Sequence, residues 1–248
     1  MQPENDHRGE RGQEAAGAAR AVGAGVRGAG PGEIPARLCH VAVELLPVTG
    51  ASVSLHSDGM PVQLGASSPQ AAYVTELQAT LGDGPCQSAA LSGAPVLARD
   101  LTAGGDVLRW PVFAQQATAV GVRAVYSMPL GNETVCVGTL DLYRDTPGDL
   151  TDRDLRTARL MAGMMTVALM ALPRAEEAGG DPEDERWLSG LAADQDQLYQ
   201  ATGMMMAQLG IGTDEALARL RGHAFAHGRT ALDVARDVVA HRLRFDTD

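Results

Sequence analysis

The most basic stretch of this 248-residue sequence is its C-terminal end. The range Ala216–Phe245 contains six arginines and three histidines against two aspartates, whereas the whole chain has a formal net charge of -11. Arginine binds phosphate through paired hydrogen bonds and stacks its guanidinium group on unpaired bases. This segment is therefore a candidate face for a nucleic acid, although the overall charge excludes a generally basic surface. The alternative is a solvated helical face in which the arginines pair with Asp233 and Asp237.

The cysteines and histidines offer fewer routes to chemistry. The sequence contains three cysteines, Cys39, Cys86 and Cys136. Their spacing does not match a zinc site, and an odd number does not fit a framework of disulfide bonds. So few cysteines are typical of a protein in the reduced cytosol. Cys86 follows Gly84-Pro85 near a predicted helix start, where either a reactive thiolate or a small buried residue fits. Two interpretations are open for His40 and His56, which could be haem ligands or structural residues. Two are also open for Asp141, whose side chain could face a ligand or solvent. With no catalytic triad, phosphate loop or metal cluster recognisable in the sequence, we predict that the protein is not an enzyme and has no metal site.

Two breaks divide the chain into domains. Residues 1–33 are rich in Gly, Ala, Glu and Arg without periodicity, which predicts a disordered tail. Residues 173–185 read PRAEEAGGDPEDE and predict an acidic, solvated linker. These breaks isolate a middle domain at 34–172 and a C-terminal domain at 186–248. The sequence contains neither a recognisable signal peptide nor an apolar run long enough for a bilayer, so we expect a cytoplasmic protein that does not contact a membrane.

Hydrophobic patterning in residues 34–172 predicts a mixed domain. The expected order is helix, strand, strand, helix, helix, strand, helix, strand, strand, helix. Asp58-Gly59 marks a turn between the first two strands, and Thr151 with Asp154 forms a variant capping box at the closing helix. Consecutive strands joined by short turns predict an α+β fold, with an antiparallel sheet and flanking helices.

The C-terminal domain begins with a long helix that carries a heptad pattern. Spacings of three and four residues alternate along Leu188, Leu191, Gln195, Leu198, Thr202, Met205 and Leu209. We predict that these residues form a coiled-coil-like dimer seam with a second copy of the chain. A core within one chain is the alternative interpretation.

Two short helices follow and complete a small all-α domain of three helices. Thr213 and Thr230 are predicted N-caps, and Gly228 is predicted to end the first short helix. Gly203 interrupts the long helix on a face distinct from the seam, together with Met206. We expect this glycine to let the short helices approach the long helix closely.

Three stretches of the middle domain resemble the GAF sensor family. They read TLGDGPCQSAALSGAPVLARDL, WPVFAQQATAVGVRAVYSMPL and VCVGTLDLY, and they follow one another in the family's order. The resemblance implies a central antiparallel sheet with helices behind it and a small-molecule pocket or dimer surface in front. Family ligands range from cyclic nucleotides to haem, so no cofactor is assigned. The complete cyclic-nucleotide signature of the family needs a lysine, which this sequence does not contain.

The stretch QATGMMMAQLGIGTDEALARLRGHAFAHGRTALDVARDVV resembles the ANTAR family of three-helix RNA-binding modules. Where the family often has a lysine in its first helix, this sequence has Thr202, so the phosphate contact there is in doubt and more weight falls on the arginines. The RNA-binding residues that the resemblance implies are Gln200, Thr202, Arg219, Arg221, His223, Arg229, Arg242 and Arg244.

Together the two resemblances imply a regulator of transcription antitermination of the kind found in actinobacteria. Its GAF-like domain is expected to sense a small molecule or partner, and its C-terminal domain to bind stem-loop RNA in leader transcripts as a homodimer. A dimeric signalling adaptor that binds protein instead of RNA is the main alternative. A cysteine-based reductase is a third, and it requires a reactive Cys86.

Overall fold

The fold is described from a computed structural model, which covers residues 16–57, 60–132, 135–177 and 182–246, with only the backbone for 57, 60 and 171–192. The helices are α1 (residues 16–25), α2 (Ile34–Leu45), α3 (Pro69–Leu81), α4 (Pro85–Ser92), α5 (Gly104–Arg109), α6 (Pro111–Ala119), α7 (Asp152–Glu177), α8 (Pro182–Leu209), α9 (Thr213–Ala226) and α10 (Ala231–Val239). The strands are β1 (Gly50–Ser57), β2 (Met60–Ala66), β3 (Val96–Ala98), β4 (Ala124–Gly131) and β5 (Cys136–Arg144). In this described part, no helix is both long and apolar enough to cross a membrane.

The five strands form one antiparallel sheet in the order β2-β1-β5-β4-β3. This arrangement confirms the predicted α+β class with an antiparallel sheet and flanking helices. The predicted hairpin pairs β1 with β2, although its turn residues Asp58 and Gly59 lie outside the described residues. The short helix α5 was not expected from the sequence pattern, because its six residues carry too little periodicity.

Helices cover both faces of the sheet, and strand β5 shows why. Leu140 and Leu142 point into a core shared with α2 and α7, whereas Asp141 and Tyr143 are buried on the opposite face, which α3 and α4 cover. Successive side chains of a strand point to opposite faces, so a strand covered on both sides buries every residue. The solvent alternative for Asp141 is therefore wrong.

The capping box predicted at the closing helix is present. The Asp154 N–H donates to Thr151 Oγ1 at 3.2 Å, and the Thr151 N–H donates to Asp154 Oδ2 at 3.1 Å. These two bonds satisfy backbone donors that the first turn of α7 leaves without a helical partner.

The predicted disordered tail differs from the structure where the structure describes it. Residues 16–25 are helical, Ala18 is buried, and Val22 packs on the core beneath α2. Apolar contact with the domain therefore orders a part of 1–33 whose composition alone indicates disorder. Residues 1–15 lie outside the described part.

The predicted linker at 173–185 is also largely helical. Helix α7 continues to Glu177 and α8 begins at Pro182, while residues 178–181 lie outside the described part. Proline is compatible with the first turn of a helix, and the Glu, Ala and Arg residues of this stretch favour helix. The proline and glycine content that predicted a break therefore marks a much shorter interruption.

Helices α8, α9 and α10 pack around one apolar core. Fully buried residues from all three meet there, namely Ala201, Met205, Ala216, Leu220, Ala224, Val234 and Ala235. Thr230 caps α10 as predicted, since its Oγ1 accepts from the Asp233 N–H at 3.0 Å. The predicted cap at Thr213 is wrong: Gly212 precedes the helix, and Thr213 is its first residue.

Helix α3 brings the two domains into contact. It packs against α9, and the Ala231 N–H at the start of α10 donates to Thr80 Oγ1 at 3.2 Å. Gly82 ends α3 in the left-handed conformation with φ 65°, and the Arg221 guanidinium lies where a side chain would project from it. The C-terminal domain is therefore docked on the helical face of the first domain.

Candidate nucleic-acid interface

The structure spreads the eight predicted RNA-contact residues over several faces of the C-terminal domain. Gln200 and Thr202 lie on α8, whereas α9 carries Arg219, Arg221 and His223. The remaining three follow the ends of α9 and α10, namely Arg229, Arg242 and Arg244. Their surroundings decide which of them can meet a ligand.

Thr202 is buried and cannot contact RNA in this arrangement. Its side chain is 4% exposed, and its hydroxyl donates to the Leu198 carbonyl at 2.7 Å. The prediction of an RNA contact at Thr202 is therefore wrong, because the position points into the domain's own core. Gln200, two residues earlier, is exposed and stays a candidate.

The lower half of the predicted dimer seam is also internal. Leu198, Thr202, Met205 and Leu209 are buried within one chain, where the apolar members join the core formed with α9 and α10. The prediction that these four meet a second chain is wrong, and the alternative of an intramolecular core holds for them. Gln195 is half-buried and donates to Tyr199 Oη at 3.2 Å.

The upper half of the seam begins at the start of α8. The side chains of Leu188 and Leu191 lie outside the described residues. Their part in a contact between two copies of the chain therefore stays a prediction.

Three of the predicted arginines are engaged in surface ion pairs. Arg219 pairs with Glu215 at 3.0 Å, one helical turn earlier on α9. Arg229 and Arg242 both pair with Asp237 at 2.7 Å, and their hydrogen bonds lower the pKa of its carboxyl group below the ordinary value. Exposed pairs of this kind contribute about 0–1 kcal/mol, so a phosphate group can replace the carboxylate at little cost.

Arg221 does not share the surface of the other arginines. Its guanidinium packs over Gly82 at the domain contact, and burial there lowers its pKa. While the domains are docked, this arginine faces the first domain.

The surroundings of His223 are aromatic. Its ring stacks on that of His227 with centroids 4.1 Å apart, and it meets the edge of Phe245 at 5.2 Å. Burial, His227 and Arg229 lower the pKa of His223, which favours the neutral ring. Among the described residues, no three His, Cys, Asp or Glu side chains are grouped so that they could hold a metal ion. The stack instead helps to hold the C-terminal segment against α9.

A cleft of about 410 Å³ lies between α8 and the segment that follows α10. Apolar walls come from Met204, Val238 and Leu243, and polar groups come from Gln208, His241 and Arg244. Ligand pockets typically combine apolar walls with a few such polar groups. Its residues Met204, Gln208 and His241 were missed by the sequence analysis, which had no signal that brings α8 and residue 241 together.

Arg244 is the arginine best placed to bind an anion. It is exposed on the wall of the cleft and has no carboxylate partner within the described ranges. The chain reaches this position through His241, whose φ of 56° lies in the left-handed region and costs a non-glycine residue about 1 kcal/mol or more. The Arg242 N–H then donates to the Asp237 carbonyl at 2.8 Å, which turns the segment back along α10.

A second polar cluster lies inside the first domain, between the sheet and α3. Tyr143 Oη and Ser52 Oγ are 2.7 Å apart, and Thr75 Oγ1 donates to Ser52 Oγ at the same distance. Asp141 is fully buried beside them, and its Oδ1 has no hydrogen-bond partner in the described structure. Burial, opposed by nearby hydroxyl groups, raises the pKa of Asp141 to about 7.

Family models match both parts of the chain. A GAF domain model matches residues 29–170, and an ANTAR domain model matches residues 188–239. The chain is a GAF–ANTAR protein. It belongs to the GAF domain family, whose model covers more than half of it, and α8, α9 and α10 provide the helices of the ANTAR domain. Both are regulatory domains, and ANTAR domains are known to bind RNA.

Solved structures are similar to this chain at low sequence identity. The GAF domain of a phosphoenolpyruvate-protein phosphotransferase from Coxiella burnetii is 14% identical, with a TM-score of 0.51 over 67% of this chain and 98% of that chain. A free methionine-R-sulfoxide reductase from Neisseria meningitidis is 15% identical, with a TM-score of 0.47 over 64% of this chain and 89% of that chain. No curated protein matches the chain.

The Cys86 thiol of the GAF domain is kept protonated. The residue is completely buried, and burial raises the pKa of its thiol well above the ordinary value, with Asp141 raising it further. The Cys86 N–H donates to Gln78 Oε1 at 2.9 Å, which fixes the start of α4. A thiolate is the reactive form of cysteine, so these surroundings favour the small buried residue over the redox thiol.

His56 and Asp141 of the GAF domain give opposite pH dependences of stability. Burial lowers the pKa of His56 from 6.5 to about 4, and it raises that of Asp141 from 3.8 to about 7. Between pH 4 and 6.5 His56 is neutral in the folded chain but protonated in the unfolded chain, so the free energy of unfolding falls as the pH falls. Over the same interval Asp141 is protonated in the folded chain but ionised in the unfolded chain, so the free energy of unfolding falls as the pH rises. Each effect amounts to about 1.4 kcal/mol per pH unit, and the two oppose each other.

When one of the two groups is removed, the free energy of unfolding is expected to depend on pH as the remaining group dictates. The free energy of unfolding of Asp141→Asn should rise from about pH 4 to pH 6.5, where burial keeps His56 neutral. That of His56→Gln should fall over the same interval. Urea unfolding followed by circular dichroism measures both, and parallel profiles for the two variants would contradict the assignment.

Proposed function

We propose that this chain is a signal-responsive regulator of transcription antitermination, in which the ANTAR domain binds stem-loop RNA in nascent leader transcripts. The GAF domain senses a small molecule or partner and controls that binding. The protein acts in the cytoplasm and is not an enzyme. A cysteine-based reductase is disfavoured, because the buried Cys86 offers no reactive thiolate.

One observation carries the proposal: the cleft beside α8 places an exposed arginine next to apolar walls. Arg244 can bind a phosphate group, and the space bounded by Met204 and Leu243 can receive the face of an unpaired base. Arg242, whose ion pair is exposed, lies two residues away and adds a second exchangeable cation. RNA recognition commonly combines backbone phosphates with bases splayed out of a loop.

We propose that the protein is a homodimer whose contact surface differs from the predicted seam on α8. Leu198, Thr202, Met205 and Leu209 are committed to the ANTAR core. A dimer contact therefore has to use residues outside this group, and sedimentation equilibrium of the full chain measures whether it forms.

Fluorescence anisotropy with labelled RNA tests the function. An RNA with two stem-loops is titrated with the full chain at increasing salt, and the same strand annealed to its complement serves as control. Binding through several arginines should give a slope of log affinity against log salt of roughly -2 to -4. No binding at low salt would contradict the proposal. A protein ligand bound without salt dependence, in place of RNA, would favour the signalling adaptor.

A further inference from the structure

The contact between the GAF and ANTAR domains encloses a cleft of about 330 Å³. Helix α3 forms one side, and the end of α9 with the residues before α10 forms the other. A second cavity of about 160 Å³ lies between β2, α3, α8 and α10. Protein interiors leave few voids larger than a water molecule, so this contact is incompletely packed.

Each domain contributes an aromatic side chain to the larger cleft. Tyr73 of the GAF domain is 45% exposed, and Phe225 of the ANTAR domain is 43% exposed. The faces of aromatic rings attract cations as well as apolar groups. Thr80 and Thr230 add hydroxyl groups to the lining.

A carboxylate without a counter-ion lies between the two cavities. Glu76 lines both of them, and its side chain has no hydrogen bond or ion pair among the described residues. Burial raises its pKa, and the carboxylates of Asp233 and Asp194 raise it further, while Arg236 lowers it. A mostly buried carboxyl group of this kind is costly unless a cation pairs with it.

The charges around Glu76 leave the cleft short of positive charge. Arg229 also lines the larger cleft, but its guanidinium is paired with Asp237 at 2.7 Å and donates to the Asp233 carbonyl at 3.1 Å. Arg236 is paired with Asp194 at 2.6 Å. Among the described residues, Asp233 has one further ion-pair partner, Arg236 Nη1 at 3.8 Å, and Glu76 is in no ion pair. The local field therefore favours a cationic ligand over an anionic one.

We propose that this cleft binds a small organic cation, with its ammonium group at Glu76 and its apolar or aromatic body between Tyr73 and Phe225. The site is separate from the buried polar cluster inside the GAF domain. A ligand held there contacts both domains, so it stabilises their docked arrangement by its differential affinity for that state. The proposal does not depend on RNA binding.

Isothermal titration calorimetry of the full chain with phenethylamine tests the site. This probe carries an ammonium group two carbons from an aromatic ring, and 2-phenylethanol is its neutral counterpart. Saturable binding of the amine is expected, with affinity lowered about tenfold or more in Glu76→Gln, because a hydrogen bond to a charged group is lost. Glu44→Gln, at an exposed position on α2, should bind as the wild type does.

A second substitution keeps the test independent of Glu76. Phe225→Ser removes the aromatic wall from an exposed position and should weaken the amine severalfold without loss of helical circular dichroism. The proposal is overturned if the wild type shows no saturable binding, if 2-phenylethanol binds equally well, or if Glu76→Gln binds the amine as tightly as the wild type.

Discussion

Replacing Arg244 with alanine is expected to weaken RNA binding by about tenfold or more, because a charged hydrogen bond to phosphate is worth roughly 1.5–3 kcal/mol. Arg244 is exposed on the cleft wall and has no carboxylate partner in the described chain. Its guanidinium therefore meets RNA without first breaking an ion pair. The slope of log affinity against log salt should also become shallower by about 0.7–1, as expected when one phosphate contact is lost.

Two control substitutions distinguish an effect of the cleft on RNA affinity from an effect of net charge. Arg159→Ala removes an exposed arginine from α7 of the GAF domain and should leave the affinity nearly unchanged. Arg219→Ala removes an arginine of the ANTAR domain that pairs with Glu215 and should have a smaller effect than Arg244→Ala. Anisotropy titrations with the two-stem-loop RNA measure all three. Equal losses in all three variants would show that binding depends on net charge and would contradict a role for the cleft.

Local signals in the sequence predicted local structure well. The capping box at Thr151 and the N-cap at Thr230 depend on residues three positions apart, and both are formed. The antiparallel sheet followed from strands joined by short turns. Interactions of this range are specified by the residues that make them, so a single sequence is sufficient to find them.

Long-range pairing could not be predicted in the same way. Arg236 pairs with Asp194, 42 positions earlier, and Arg229 with Asp237 across the turn into α10. Composition shows that arginines cluster at the C-terminal end, but it does not show which carboxylates reach them. For this reason five arginines are equivalent in the sequence, whereas the structure separates Arg244, which has no carboxylate partner among the described residues, from the interdomain Arg221.

The heptad pattern identified the buried face of α8 from Leu198 to Leu209, but the predicted partner of that face was wrong. A repeat of three and four residues identifies the apolar face of a helix, but a partner in the same chain and one in a second chain produce the same repeat. Leu198 and Met205 are covered by α9 and α10 of their own chain. The choice depended on how the short helices fold back, which is a property of the loops and not of the repeat.

Gly203 lies on a face of α8 distinct from the seam, and its packing was also not predictable from the sequence. The sequence predicts that the short helices approach at this glycine, because a helix tolerates glycine where a backbone comes close. In the structure Gly203 is exposed, and a methyl group added there would have no neighbouring atom within 4 Å. The expectation was wrong, since the helices pack on the seam face instead.

Two substitutions on α8 are therefore expected to change stability in opposite directions. Met205→Ala removes a completely buried side chain from the ANTAR core and should destabilise the domain by about 2–5 kcal/mol. Gly203→Ala should stabilise it by about 0.5–1 kcal/mol, because alanine is the better helix former and meets open space at this position. Urea unfolding of the full chain, followed by helical circular dichroism, measures both.

Protein concentration distinguishes a core from a dimer seam in the same experiment. If Met205 packs within its own chain, the loss of stability in Met205→Ala should be the same at low and high protein concentration. A residue at a seam between two chains would instead give a loss that depends on concentration, because unfolding is then coupled to dissociation. The latter result, or a destabilising effect of Gly203→Ala, would contradict the packing of α8 against α9 and α10.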